Sequence, residues 1–239
     1  MQENFDGGNL VPLIMDKCFE KYFGDIEHPN RIEKLIQIIL VREGFKDVKF
    51  IRFFETNHTE KDDGFGIVDV ECLCDNKNFN IEVTTSYKDY DFDNAFLHLA
   101  DIHTRNVDFS IVWPSYYASL NKSIQICINM TGIDYDQCML RSDNTNKVYD
   151  DSFRTVVLNT LYYLDKVNDD INTSSEMDKI LSMFVVNDYD KLNDITKSIP
   201  EYRDLAEILK SYSNDEDILS SYDIDKYLSN INEYESSAN

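Results

Sequence analysis

The sequence is short of the residues that turn and break secondary structure. It has 7 glycines and 4 prolines in 239 residues, and every glycine lies at or before position 132. The second half therefore lacks the residue suited to left-handed turns, which predicts plainer and mostly helical architecture there. Positive charge is scarce as well: 23 Lys and Arg stand against 45 Asp and Glu, a net −22. That balance argues against a broad basic surface that grips phosphates, so any nucleic-acid function must rest on a local site. The five cysteines (Cys18, Cys72, Cys74, Cys127, Cys138) form no CxxC pair and have no histidines at zinc-finger spacing. They read as small buried hydrophobes in a reducing compartment rather than as a disulfide framework or a zinc site. No apolar run approaches the roughly 20 residues that span a bilayer, and the first residues show no charged-then-apolar leader. The expectation is a cytoplasmic chain without membrane contact. What is present excludes wholesale disorder: 42% hydrophobic and 13% aromatic residues, in a length that suits one domain with or without a helical appendage.

Along the chain, apolar residues recur at helical spacing over residues 11–22 and 31–41, with Asn30 placed as a cap and Gly44 as a stop. Three short β-type runs follow at 48–54, 67–74 and 79–85, separated by polar turns, and read as an antiparallel meander. A helix over 91–105 would bury Phe92, Ala95, Phe96, Leu99 and Ile102. Strands are predicted at 109–113, 124–130 and 155–161. Helix, meander, helix, strand indicates an α/β chain with a mixed sheet flanked by helices. From residue 165 the text becomes helical segments among acids and serines. That stretch holds 18 acidic and 7 basic residues, half of the net charge. The division expected is a core over 1–164 and an acidic helical C-terminal extension over 165–239, with the last few residues frayed.

The stretch most suggestive of chemistry is the second hairpin. Side chains alternate across a strand, so Val68, Val70, Cys72 and Cys74 share one face while Asp69 and Glu71 share the other. On the next strand Phe79, Ile81 and Val83 face the core, which groups Asn80, Glu82 and Thr84. A two-residue loop at 75–76 sets Asp69 opposite Glu82, and a four-residue loop over 75–78 sets Glu71 there instead. Either register places two carboxylates across from each other at about 5 Å between Cβ atoms. Like charges so placed repel, and a hard divalent cation would convert the repulsion into a binding site.

These residues resemble a known family. An Asp on one strand followed by Glu on the next, after an acid-bearing helix, is similar to the PD-(D/E)XK nuclease superfamily. Asp16, Phe19, Phe23, Gly24 and Asp25, then Ile67 to Val70, then Asn80-Ile81-Glu82-Val83-Thr84-Thr85-Ser86 resemble the Rpn recombination-promoting nucleases, also described as transposase-like. Ala95 and Phe96, Tyr117 to Leu120 and Ser123 to Met130 extend the likeness over nearly the whole chain. The resemblance implies a restriction-endonuclease-like fold and a metal-dependent endonuclease acting on DNA. It implies that Asp69, Glu82 and the carbonyl of Val83 hold Mg²⁺ (or Mn²⁺), with Glu33 reaching the ion through water. The family's Lys or Gln position falls on Thr84, whose hydroxyl hydrogen-bonds but carries no charge. Lys88 shares the parity of Glu82 and Thr84 and is a candidate displaced substitute. Glu20 and Asn94 stand where the family places a lysine and an arginine.

Two functions stay open at this level: the endonuclease, and a catalytically degenerate relative. The second would work as an acidic protein-binding or DNA-mimicking module, or as the acidic partner in a homo-oligomer. Other features have plainer readings. Asp16 is a helix-start acid, and the run at 215–217 begins a helix. The histidines (His28, His58, His98, His103) pack or face solvent, and Trp113 is core. Tyr116 and Tyr117 anchor a loop or stack on bases.

Overall fold

The computed structural model describes residues 9–45, 48–53, 70–74, 79–86, 97, 99–100, 103, 122–130, 134–148, 153–220 and 224–237. Two amphipathic helices come first, α1 (Asp16–Phe23) and α2 (Asn30–Arg42). The apolar spacing over 11–22 predicted an earlier start for α1. Instead Leu10 to Met15 run as extended chain and turn, because a later segment covers them: the Ile14 amide donates to the Phe184 carbonyl at 2.9 Å and the Val11 amide to Ser213 Oγ at 2.9 Å. Asn30 is the first residue of α2 rather than its cap, which falls on Pro29. Gly44 stops α2 as expected, at φ +81°, with the Phe45 amide reaching back to the Leu40 carbonyl at 2.9 Å.

Among the described residues six strands form one sheet in the order β1-β2-β3-β4-β6-β5: β1 (Phe50–Phe53), β2 (Val70–Cys74), β3 (Phe79–Ser86), β4 (Lys122–Asn129), β5 (Tyr135–Met139) and β6 (Phe153–Asn159). The first three strands are the expected antiparallel meander. β4 then runs parallel to β3, β6 parallel to β4, and β5 antiparallel on the edge. The architecture is mixed α/β. A parallel β3–β4 pair needs a crossover, and the described residues of that connection, Leu97, Leu99, Ala100 and His103, are helical. The remainder of the predicted 91–105 helix, the 109–113 strand, Trp113, Tyr116 and Tyr117 lie outside the described residues. β6 ends two residues before the predicted limit because the Asn159 side chain accepts the Leu161 amide at 3.1 Å and starts the next helix.

That helix is α3 (Thr160–Asp169). It leads into α4 (Glu176–Ser182), α5 (Tyr189–Thr196), a 3₁₀ turn (Pro200–Tyr202), α6 (Leu205–Tyr212), α7 (Glu216–Ser220) and α8 (Ile224–Ser237). The helical prediction from residue 165 onward is met, and α8 stays helical to Ser237 where fraying was expected. These helices share one core with the rest. Phe184 stacks on Phe23 at 5.8 Å and meets Phe19 at 6.1 Å. Tyr202 stands edge-on to Phe23 at 6.0 Å, and its hydroxyl donates to the Arg31 carbonyl at 2.9 Å. Ile124, Ile126, Ile128, Val156 and Leu158 supply the sheet's side of the same core. The end of α2 is tied to β5 and β6 through Glu43, whose fully buried carboxylate accepts Arg154 Nη1 at 3.1 Å and the Tyr135 hydroxyl. Among the described residues no helix is long and apolar enough to cross a membrane.

Candidate functional site

The β2–β3 register decides which acids meet. Cys74 pairs with Phe79, so residues 75–78 make the connection and Glu71 is the Cα partner of Glu82. This is the four-residue alternative of the two read from the sequence. Asp69 and Lys88 lie outside the described residues. Val83 pairs with Val70 on one side and Ile126 on the other, and Thr84 pairs with Cys127.

The parallel strands carry the line of Glu71 and Glu82 further. Glu82 pairs with Gln125 on β4, which pairs with Thr155 on β6. Gln125 is 2% exposed and Thr155 5% exposed, and Thr155 Oγ1 donates to Gln125 Oε1 at 3.3 Å. Ile124, Ile126 and Ile128 turn into the shared core, which leaves Ser123, Gln125, Cys127 and Asn129 on the opposite face, all buried. Crossover residues lie over that face. Leu99 is buried, and His103 makes a 3.0 Å hydrogen bond with Ser123 Oγ and stands edge-on to Phe153 at 5.5 Å. His103 thus has the packing role expected of it. Sequence reading did not single out Gln125 or Thr155. The available signal was a polar residue at alternate positions of an isoleucine-rich strand.

Glu33 is placed differently from the role the resemblance implies. Its Oε1 accepts Gln37 Nε2 at 3.0 Å and its Oε2 accepts the backbone amide of Phe50 at 3.2 Å, while Gln37 Nε2 also reaches the Val48 carbonyl at 3.0 Å. Both oxygens of this half-buried carboxylate fasten α2 to the start of β1. Asp16 falls in the first turn of α1, as expected of an acid at a helix start, and Glu20 is exposed on the same helix.

Donor chemistry at the hairpin suits a hard divalent ion: two carboxylate-bearing residues in direct register, with the main-chain carbonyl of Val83 next to Glu82. Among the described residues, no group of three or more His, Cys, Asp or Glu gathers closely enough to hold a metal. Comparison with protein-family models, with curated proteins and with solved structures yields no match to this chain.

Proposed function

We propose that the chain is a Mg²⁺- or Mn²⁺-dependent DNA endonuclease with a restriction-endonuclease-like core, hydrolysing phosphodiesters in recombination of mobile DNA. The observation that carries the reading is the register of Glu71 opposite Glu82 on a hairpin followed by the parallel strand β4. A bound ion would lower the pKa of a water and offset charge on the scissile phosphate. The chain's own part is to supply hard oxygen donors, Glu82 with its register partner Glu71, Asp69 and the Val83 carbonyl, while the Thr84 hydroxyl would orient the attacking water. Lys88 is the candidate cation for the phosphate. Supercoiled plasmid incubated with the purified chain and Mg²⁺ or Mn²⁺ is expected to be nicked, and Glu82→Ala to abolish nicking. Equal nicking by both proteins refutes the proposal, and Lys88→Ala with unchanged cleavage removes that residue from it.

One observation favours a second reading. Both Glu33 oxygens are engaged by α2 and β1, so the further acid that such an enzyme would use is tied into the fold. A non-catalytic descendant, an acidic protein-binding or DNA-mimicking module, would show no cleavage with any divalent ion and no rise in melting temperature on adding one.

A further inference from the structure

We propose that Gln125 is the positioning residue for the acidic site on β3, an inference that rests on the metal-site reading above. β4 lies between β3 and β6, so Gln125 has one register partner on each side, Glu82 and Thr155. Its strand neighbours Ile124 and Ile126 turn into the core, and the amide lies buried on the opposite face. The 3.3 Å bond from Thr155 Oγ1 fixes the orientation of that amide. With its oxygen edge held toward β6, the amide in this role presents its N–H edge on the β3 side, where Glu82 stands in register.

The sheet does not require an amide at this position. An apolar side chain of similar length would fill the space with no polar group to satisfy. Beside a ligating carboxylate, however, an oriented N–H donor does what outer-shell partners do in metal sites: it fixes the ligand's rotamer. Glutamine is neutral and adds nothing to the repulsion between the acids at 71 and 82. Thr155 acts one step further out, by holding the amide.

The test is Mn²⁺ affinity of the purified chain by calorimetry, with the urea midpoint of each variant measured alongside. Glu82→Gln tests the underlying reading, and wild-type affinity in that variant overturns the reading and the inference together. With Glu82→Gln impaired, Gln125→Leu is expected to lose about tenfold in affinity, in the range typical of outer-shell partners. Gln125→Leu with wild-type affinity overturns the inference and leaves the metal reading standing. Should Gln125→Leu not fold, Thr155→Val decides: it keeps the shape and releases the amide, so a fewfold loss supports the positioning role and unchanged affinity refutes it.

Discussion

Replacing Arg31 with methionine isolates one buried cation at the joint between α2 and the later helices. The Arg31 side chain is 4% exposed. Its guanidinium lies 4.3 Å from the Tyr22 ring centroid, donates to Asp204 Oδ2 at 2.7 Å and Asp25 Oδ2 at 3.3 Å, and approaches the Tyr22 carbonyl at 3.5 Å. Methionine keeps the apolar stem and removes the charge. The two carboxylates are partly hydrated, at 51% and 31% exposed, so each pair is worth only about 0.2–1 kcal/mol. The largely desolvated cation–π contact adds about 1–2 kcal/mol. We expect Arg31→Met to cost about 2–3 kcal/mol at neutral pH, which for a chain of this size is a fall of roughly 5–10 °C in Tm. Asp204→Asn, which leaves Arg31 on Asp25 and Tyr22, should cost about 1 kcal/mol or less.

The pH dependence is a second check on the same residue. Burial works to raise the Asp25 carboxyl, but hydrogen bonds from His28 and the Glu27 amide, with the charges of His28 and Arg31, outweigh it and hold its pKa below the ordinary 3.8. A depressed folded-state pKa contributes stability that is present above 3.8 and is lost as pH falls through the folded value. The deficit of Arg31→Met relative to wild type should therefore shrink below pH 3.8. Urea unfolding across that range measures it. A cost under about 0.5 kcal/mol at neutral pH, or equal losses in Arg31→Met and Asp204→Asn, would refute the assignment of this joint to the buried cation.

Phe184→Ala removes a fully buried ring that stacks on Phe23 of α1, and should cost about 3–5 kcal/mol by urea unfolding. A loss under about 1 kcal/mol would contradict a shared core. Thiol labelling of the native chain, mapped by mass spectrometry, should spare Cys18 and Cys127 and modify Cys138 slowly. Burial pushes the Cys18 thiol up to about 12, the nearby Asp215 and Asp16 adding to it against Lys21, and raises the half-buried Cys138 thiol with help from Asp136. Rapid labelling of Cys18 would run against this. Glu33→Ala removes the acceptor that fastens α2 to Phe50, so it should lower stability by about 1–2 kcal/mol while leaving Mn²⁺ affinity unchanged. A tenfold loss of affinity in a folded Glu33→Ala protein would restore the role that the family resemblance implies.

Faces were legible in the sequence where chemistry alternates strictly. The parity of Cys72, Ile81 and Val83 grouped Glu71 with Glu82 before any register was known, and only the loop length stayed undetermined. The open choice turned on residues 75–78, whose Asp, Asn, Lys and Asn suit two turn lengths equally. β5 was missed for a related reason. Tyr135 to Met139 are all half-buried on a sheet edge, so no alternation marks them. The start of α1 failed differently. Leu10 to Ile14 are as apolar as a helix face, yet what buries them is the segment around Phe184, which no local pattern can announce. Glu33 shows the limit for site residues: its place in the first turn of α2 is readable, while the amide it binds belongs to a strand 17 positions later.

The acidic excess can be traced in part to individual bonds. Asp178 completes a capping box with Ser175 at the start of α4, and Asp188 accepts the Lys191 amide at 2.8 Å at the start of α5. Asp215 accepts the amides of Asp217 and Ile218 at 3.0 and 3.4 Å, opening α7, and pairs with Lys21 of α1 at 2.7 Å. A chain with no glycine after position 132 builds its second half from short helices. Each helix start exposes amide donors and a positive dipole end that favours a carboxylate. Many short helices therefore call for many acids, and part of the net charge follows from the architecture without any cationic partner. The charge bears on function only where an acid has no such structural task. Glu71 and Glu82 stand in direct register in the middle of their strands, and it is there that the proposed divalent ion is to be tested for.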